Sequence, residues 1–468
     1  MGVSTVSVLR DGELRQRIFH LAWPTVTENA LQTVVQYVDT AQVGQLGASA
    51  SAAVGLTSTT TWLVNAPLWA LATGVLACIS QALGAGDKER AERAADQSLL
   101  IVFVTGIVMT ILTLGISPSL PEWLGADPEI RRDAELYFAI ICVPMLFRVS
   151  SIVFASVLRA VGNTKTPMWI NLLMNGINVF LNFLLINTPH FWRMGGYTIP
   201  IWGAGMGVKG AAVATAVSYV VGGTLMFLRA RRCPQLSGLR FRYDRAVMAR
   251  CLAVSGPIGA EHMISMLGQV VFTALIARLG TVAIAAHSIA ITAEQAFYIP
   301  GYGMETAAST LSGFYYGAGD EKKLLDYSAA ILMIAVSLMA FCALFLFLFP
   351  AFFMGIFTPD QAVIELGAKV LRIVSVSEPF FAVVIILQGT FNGVGDVRAP
   401  VAFSLFSMWV VRLGLTWLCV TRLQLGLPAV WCCMVADNLT RFFLMTLRYR
   451  GNRWKRGIQT SAEPQSQP

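Results

Sequence analysis

The sequence predicts an all-α, polytopic membrane protein with twelve transmembrane helices in two six-helix bundles. Of its 468 residues, 56% are hydrophobic and 13% are charged, whereas soluble domains have a charged fraction of about 25%. The apolar runs are about 20 residues long, which is the length of a membrane-spanning helix. A membrane β-barrel would instead carry alternating segments of roughly 10 residues. An internal repeat supplies the division into two bundles.

The repeat relates the two halves of the chain at a constant offset of 233 residues. Pro24 corresponds to Pro257, and the Gly-Ala-Gly-Asp loop that begins at Gly84 corresponds to the one that begins at Gly317. Six helices per half place equivalent loops on the same side of the membrane. The repeats are therefore predicted to be parallel, with a pseudo-two-fold axis along the membrane normal. Such duplicated helical bundles are typical of transporters.

Hydropathy and the repeat together place six predicted spans in each half. The spans are 18–43, 53–82, 92–116, 134–158, 167–187, 207–229, 248–278, 282–313, 325–350, 367–391, 400–421 and 427–447. They divide the chain into a first lobe at 1–229, a linker at 230–247, a second lobe at 248–448 and a tail at 449–468. The linker is predicted to be cytoplasmic, and the tail to be basic and then disordered.

The distribution of basic residues predicts the orientation. Lysines and arginines cluster at residues 10–17, 88–93, 229–250 and 448–456, whereas residues 44–52 carry none. By the positive-inside rule, both termini are predicted to be cytoplasmic, in the plasma (inner) membrane. These clusters account for much of the net charge of +8, so the basic balance needs no nucleic-acid partner.

Two local features complete the organisation. Residues 189–197 form a turn-rich insertion after the fifth span, without a counterpart in the second half, and we expect it to cap the first lobe externally. The eight cysteines lie mostly inside spans and lack a paired C-x-x-C spacing. Neither disulfides nor a structural metal site is therefore predicted. We also expect no cofactor.

Ionisable residues inside the spans mark the candidate sites, because a charge at the bilayer centre costs about 2.5–3.5 kcal/mol on insertion scales. Glu28, Gln32, Gln36 and Asp39 follow one another at spacings of four, four and three, so they share one stripe of the first helix. The stripe is either a hydrogen-bonded seam between helices or an ion site. Asp39 is the stronger site candidate because no Lys or Arg lies within a turn of it.

The fifth span carries a strip of amides at Asn171, Asn175, Asn178 and Asn182. Amide carbonyl groups can ligate a hard cation or share the proton network of a carboxylate. The alternative is ordinary bonding between helices, worth about 0.6 kcal/mol per contact. Both interpretations remain open for Asn178 and Asn182.

The second half does not copy this arrangement. Glu261 repeats Glu28, but Phe272 stands where Asp39 would be repeated. The two halves have therefore specialised, and Glu261 is the acid that duplication kept.

The eighth span adds His287, Glu294 and Tyr298. A lone intramembrane histidine is usually a packing residue, although it can also titrate. Tyr298 belongs to a set of aromatic residues that either line a cavity for aromatic cations or form core and lipid-facing surface. Three arginines inside the spans are expected to snorkel or to be paired: Arg148, Arg412 and Arg441.

Motifs along the chain resemble one family. They are Trp23-Pro24 followed by Val38-Asp39-Thr40-Ala41-Gln42-Val43-Gly44-Gln45-Leu46-Gly47, the two Gly-Ala-Gly-Asp loops, and Arg159-Ala160-Val161-Gly162-Asn163-Thr164-Lys165-Thr166-Pro167 with its echo at 392–400. Together they resemble the MATE family, the multidrug and toxic compound extrusion antiporters. The resemblance runs from about residue 14 to about residue 448. It implies a two-lobed, twelve-helix fold that exports mostly cationic amphipathic compounds in exchange for H⁺ or Na⁺.

The resemblance also implies a cation-coupling site. Asp39 matches the family's helix 1 acid, and Asn178, Asn182 and Thr215 match the polar positions around it. Some branches have an Asp where this chain has Asn182, and Phe381 occupies the place of a helix 10 acid found in one branch. The remaining candidates for the second lobe or the substrate cavity are Glu28, Glu261, His287, Glu294 and Tyr298.

We therefore expect a monomeric, H⁺- or Na⁺-coupled antiporter in the lipid bilayer that exports cationic amphipathic drugs or toxic metabolites by alternating access. Two alternatives remain. A flippase for lipid-linked saccharides has a related architecture, but we would expect several cationic residues to line its cavity. A membrane-embedded hydrolase needs a paired nucleophile and base or a metal cluster. The four histidines of the chain form no H-E-x-x-H spacing, so we expect no enzyme.

Overall fold

The computed structural model describes residues 12–44, 46–194, 197–236 and 238–455, and most of these residues are helical. In the first half the elements are α1 (Gly12–Gly44), α2 (Ala48–Gly84), α3 (Lys88–Ile116), α4 (Leu120–Trp123), α5 (Pro128–Cys142), α6 (Met145–Ala160), α7 (Lys165–Ile186), β1 (His190–Met194), β2 (Tyr197–Ile201) and α8 (Val208–Arg231). In the second half they are α9 (Arg245–Ala277), α10 (Thr281–Gly317), α11 (Glu321–Leu348), α12 (Pro350–Gly355), α13 (Gln361–Ser375), α14 (Glu378–Val394), α15 (Arg398–Phe406), α16 (Gly414–Trp417) and α17 (Leu427–Arg450). Two π-helical segments, Ser407–Leu413 and Leu418–Arg422, flank α16.

The insertion predicted at 189–197 contains β1 and the first residue of β2, which are the two strands of the described residues. β1 and β2 pair antiparallel, with His190 opposite Ile201 and Met194 opposite Tyr197. The sequence predicts this segment only as turn-rich.

Nine of the described helices are long and apolar enough to cross a membrane, and two bent pairs bring the number to eleven. The pairs are α5 with α6, bent by 51°, and α13 with α14, bent by 56°. Helix α1 falls outside this set because it carries the polar stripe that runs from Glu28 to Asp39. Counting α1, the helices match the twelve predicted spans one for one.

The helix boundaries repeat at the offset read from the sequence. Helices α1 and α9 are each 33 residues long, and α2 and α10 are each 37 residues long. Their first and last residues all differ by 233 positions. The bent pairs begin at the same offset and have similar bends, so the duplicated unit has kept its local geometry.

The chain divides into two compact units. We call the first the N-unit; it comprises Leu31–Val75 and Glu92–Ala249. We call the second the C-unit; it comprises Met1–Ala30, of which residues 12–30 are described, with Leu76–Ala91 and Arg250–Pro468. Helices α1 and α2 therefore contribute one end to each unit. The lobe boundaries at residues 229 and 248 stay a prediction.

In the N-unit, the predicted linker packs on α3. The backbone N–H of Arg240 donates to the carboxylate of Asp96 at 2.8 Å. The side chain of Gln97 donates to the Arg242 carbonyl group at 2.8 Å and accepts from the Asp244 backbone N–H at 3.2 Å. These bonds satisfy linker backbone groups that have no helical partner, so the linker is attached to this unit.

In the C-unit, α2 and α10 cross at paired glycines. A Cβ atom at Gly84 would lie 1.8 Å from the Phe314 carbonyl oxygen, and one at Gly317 would lie 1.9 Å from the Gln81 carbonyl oxygen. Gln81 and Phe314 are themselves equivalent in the repeat. Gly84 therefore packs against Phe314, and Gly317 packs against Gln81, which is the residue equivalent to Phe314. The crossing is locally two-fold symmetric.

Replacing Gly84 or Gly317 with Ala is expected to destabilise the protein by about 3 kcal/mol, because the two backbones would have to separate. Gly256→Ala in α9 is the control, since a Cβ there meets nothing within 4 Å. Thermal unfolding of the detergent-purified variants measures the difference. Equal midpoints for Gly317→Ala and Gly256→Ala would contradict the close crossing.

Candidate functional site

Three helices of the N-unit bring polar side chains to one place. Helix α1 contributes Asp39, α7 contributes Asn178 and Asn182, and α8 contributes Thr215. The spacing of four places both asparagines on one face of α7. That face is turned inward, since Asn178 is 8% exposed and Asn182 is fully buried.

One chain of hydrogen bonds connects the four side chains. The Asn182 amide donates from Nδ2 to Oδ1 of Asp39 and, at 3.4 Å, to Oδ1 of Asn178. The Asn178 amide donates to Oγ1 of Thr215 at 3.1 Å. The Thr215 hydroxyl donates in turn to the Ala211 carbonyl group at 3.0 Å. The structure therefore brings together the four residues that the sequence singled out.

The buried end of this chain retains an unused acceptor. Oδ1 of Asn182 has no hydrogen-bond partner among the described residues. Buried polar atoms are usually satisfied, and an amide oxygen can accept a hydrogen bond but cannot donate one. Beside Asp39, this atom can accept the hydrogen of a protonated carboxyl group or ligate a cation.

Tyr137 and Arg148 belong to the same surroundings, although neither is a site candidate from the sequence. Tyr137 lies within electrostatic range of both Asp39 and Arg148. Arg148 is 6% exposed, and its guanidinium carbon lies 4.8 Å from the centre of the Tyr219 ring. Arg148 was expected to snorkel or to be paired, and its buried guanidinium group packs over the Tyr219 ring. The sequence signal that could have marked Arg148 is its position, as a charged residue, in the middle of a predicted span.

In the C-unit, Asp437 of α17 is held by two arginines. It is fully buried, and Nη2 of Arg412 and Nη2 of Arg441 each lie 2.7 Å from its Oδ2. The Ser407 hydroxyl also donates to it. Arg412 and Ser407 both come from the first π-helical segment, a geometry that often occurs at functional sites. The expectation that these two arginines are paired is met, whereas Asp437 was missed.

The C-unit does not repeat the polar chain of the N-unit. At the offset of 233, Phe272 replaces Asp39 and Leu415 replaces Asn182. The guanidinium carbon of Arg412 lies 5.6 Å from the centre of the Phe272 ring. The position that holds Asp39 in the first half therefore holds the Phe272 ring in the second half, with the guanidinium group of Arg412 over it.

The two glutamates related by the repeat, Glu28 and Glu261, both fall in the C-unit. Glu28 is 7% exposed. Glu261 lies within electrostatic range of His262 and Arg441 and near the side chain of Ser404. Glu28 and Asp39 share α1 but belong to different units, so the predicted stripe is divided between them.

The three candidates on α10 have different surroundings. The His287 ring packs edge-on against Phe272 and Trp431, with centroid distances of 5.6 and 5.8 Å, which fits a packing role. The Tyr298 ring lies in an aromatic group with Tyr302 and Phe381, with centroids 5.7 and 5.8 Å away. Glu294 is buried and lies within electrostatic range of Arg412 and Glu378.

No group of three or more His, Cys, Asp or Glu side chains in the described parts of the chain could hold a metal ion. The eight cysteines are free. Cys419 and Cys433 approach one another, with their sulfur atoms 3.8 Å apart.

Comparison with known proteins finds similarity along nearly the full chain. The profile of the family described as MatE matches residues 24–184 and 257–418. A "probable multidrug resistance protein NorM" of Thermotoga maritima is 30% identical, over 96% of this chain and 95% of the relative. An "uncharacterized transporter YisQ" of Bacillus subtilis is 24% identical, over 93% of this chain and 94% of the relative.

Solved structures show the same fold. The crystal structure of MATE in the bent conformation has a TM-score of 0.87 at 24% identity, and the match covers 99% of this chain and 100% of the other. A MOP superfamily transporter from Pyrococcus furiosus has a TM-score of 0.86 at 24% identity, with 99% of each chain covered. The prediction of an all-α, polytopic membrane protein is confirmed, and the twelve-helix count and two-fold repeat are consistent with this fold.

Proposed function

The chain belongs to the MATE family of membrane transporters, and from this premise we propose that it is a proton-coupled antiporter that exports small organic cations by alternating access. Members of this family are ion-coupled transporters rather than enzymes, and they need no cofactor. The proposal assigns the coupling role to Asp39, with Asn178, Asn182 and Thr215 holding it in place.

The observation that carries the proposal is the pairing of Asp39 with an amide whose own oxygen is unused. The Asn182 amide donates to one carboxylate oxygen of Asp39, while Oδ1 of Asn182 has no partner among the described residues. A protonated Asp39 can donate to that oxygen, so both protonation states of the carboxyl group have a partner within one amide. This is what a reversible proton site requires.

The same hydrogen bonds favour a proton over a metal cation. Hard cations collect many oxygen ligands, about six to eight in the case of Ca²⁺. Here Oδ1 of Asn178 already accepts from Asn182, and Oγ1 of Thr215 already accepts from Asn178. Few oxygens therefore remain for Na⁺, whereas a proton needs only one acceptor.

Coupling follows if the two conformers of the transporter bind the proton with different affinities. A thousand-fold difference in affinity corresponds to about 4 kcal/mol, which reverses a modest preference between two states. Antiport follows if the proton favours one conformer and the organic cation favours the other, so binding one promotes release of the other. Aromatic side chains can attract a cationic ring system.

The two alternative functions are less well supported. A flippase for lipid-linked saccharides would need unpaired cations to hold the pyrophosphate, whereas Arg412 and Arg441 share Asp437. The relatives named above do not favour a hydrolase. We expect a monomer in the inner membrane with both termini in the cytoplasm.

Ethidium transport in proteoliposomes tests the coupling ion. We expect an imposed pH gradient to drive ethidium accumulation without sodium, and an imposed sodium gradient at equal pH to drive none. Liposomes with a collapsed pH gradient are the control. Accumulation driven by sodium alone would identify Na⁺ as the coupling ion. It would contradict the inference that too few oxygen ligands remain for a metal cation.

A further inference from the structure

The linker presents two exposed aromatic side chains on the surface of the N-unit. The Phe241 side chain is 67% exposed and that of Tyr243 is 66% exposed. Both belong to the segment 240–243, which has no regular secondary structure. Arg240 and Arg242 alternate with them and are exposed as well. Exposed aromatic rings interleaved with cations are characteristic of chain that lies at the interface between membrane and water.

Three hydrogen bonds hold the backbone of this segment on α3. The Arg240 N–H donates to the carboxylate of Asp96 at 2.8 Å. The Gln97 side chain donates to the Arg242 carbonyl group at 2.8 Å and accepts from the Asp244 N–H at 3.2 Å. The exposed side chains therefore project from a backbone whose position is already fixed. Less conformational freedom is lost when such side chains bind a ligand.

The segment lies where the exposed apolar surface of α3 begins. From residue 92 to residue 102 the side chains of α3 are buried or partly buried. The next residue, Phe103, is 48% exposed. Further exposed apolar side chains follow it along the helix: Val104, Ile107, Val108, Ile111 and Leu112.

Phe241 joins this apolar surface. Its ring packs edge-on against the ring of Phe103, with the two centroids 6.1 Å apart. Helix α3 is long and apolar enough to cross a membrane, so its exposed apolar side chains face the acyl chains of the lipids. The contact with Phe103 therefore places Phe241 at the edge of the apolar layer and its neighbours at the level of the headgroups.

The charge around the segment is strongly positive. Residues 229–245 contain one acid, Asp244, which pairs with Arg93 at 3.4 Å. The same stretch contains six arginines, all of them exposed: Arg229, Arg231, Arg232, Arg240, Arg242 and Arg245. Guanidinium groups bind phosphate oxygens through two parallel hydrogen bonds. Because a zwitterionic headgroup brings its own cation, this surface favours an anionic headgroup.

We propose that the linker segment 240–243 binds the headgroup of an anionic phospholipid. Phe241 enters the apolar layer beside Phe103, Tyr243 lies at the interface, and the guanidinium groups of Arg240 and Arg242 bind the phosphodiester. The positive-inside rule accounts for the arginines alone, whereas the fixed backbone and the contact of Phe241 with the apolar surface of α3 point to a lipid. The site goes beyond the transport function and does not depend on the coupling ion.

Native mass spectrometry of the detergent-purified protein, titrated with phosphatidylglycerol, tests the proposal. Wild-type protein should bind one phosphatidylglycerol molecule more tightly than phosphatidylcholine at the same concentration. Arg240→Gln/Arg242→Gln should weaken the binding of that molecule about twentyfold, because each arginine near an anionic surface contributes roughly fivefold. Binding of phosphatidylcholine should not change.

Two further variants separate charge from the apolar contact. Lys369→Gln/Arg372→Gln removes the same charge from exposed positions of α13 and should leave the affinity for phosphatidylglycerol unchanged. Phe241→Ser keeps both arginines but removes the contact with the apolar layer, so it should also weaken the binding of phosphatidylglycerol.

Four results would overturn the proposal. Equal affinities of wild-type protein and Arg240→Gln/Arg242→Gln would show that these arginines bind no lipid. An equal loss in the α13 control would mean that net charge alone attracts the lipid. Unchanged binding by Phe241→Ser would contradict its entry into the apolar layer. Displacement of phosphatidylglycerol by millimolar inorganic phosphate would make the segment a site for free phosphate.

Discussion

Asp39→Asn is expected to abolish ethidium efflux driven by a pH gradient while leaving equilibrium binding of ethidium intact. The amide preserves the shape of the side chain but fixes it in a neutral form that resembles the protonated carboxyl group. Proton binding can then no longer favour one conformer over the other, so transport loses its driving force. Efflux from cells and ethidium binding to purified protein, at equal expression, measure the two effects.

The control for this experiment is Glu261→Gln, which makes the same chemical change in the C-unit. We expect it to have a milder or substrate-dependent effect, because Glu261 already has Ser404 and Arg441 beside it. Normal proton-driven efflux by Asp39→Asn would exclude Asp39 as the coupling residue and transfer that role to Glu261.

Asp437→Asn is expected to destabilise the protein by about 3 kcal/mol, because it removes the fully buried carboxylate that serves as counter-charge to two partly buried arginines. Arg412 and Arg441 both bind Oδ2 of Asp437, and the three side chains carry a net charge of +1. Removing the carboxylate raises that charge to +2 around a position that is fully buried. The midpoint of thermal unfolding in detergent should fall accordingly.

Asp396→Asn is the matched control. Asp396 also pairs with an arginine, Arg448, but both side chains are about a fifth exposed, so the loss should stay near 1 kcal/mol. Adding Arg412→Met to Asp437→Asn should restore part of the stability by removing one unpaired charge. Equal destabilisation by Asp437→Asn and Asp396→Asn would show that the carboxylate of Asp437 contributes no more stability than that of a partly exposed ion pair.

The helices and the repeat could be predicted because both signals are local in sequence. Apolar runs of the length of the bilayer give the spans, and the offset of 233 returns in the boundaries of α1, α2, α9 and α10. The hairpin β1–β2 also left a signal that was not used. Aromatic and β-branched residues flank the pair Gly195-Gly196, a sequence that is typical of two-residue hairpin turns.

The candidate site was predictable in part. Asp39, Asn178 and Asn182 could be found because helical spacing aligns polar residues on one face, and Thr215 because of the family resemblance. Asp437 could not be paired in advance with Arg412, which lies 25 residues earlier in a π-helical segment. Helical periodicity does not tell which buried charges of different helices meet.

Proton flux through reconstituted protein tests the role of Asp39 most directly. Proteoliposomes in sodium-free medium receive an ethidium gradient without a pH gradient, and an enclosed dye reports the internal pH. We predict that wild-type protein moves protons against the direction of ethidium and that Asp39→Asn moves none. Proton movement by Asp39→Asn at the wild-type rate would contradict the assignment of the coupling site.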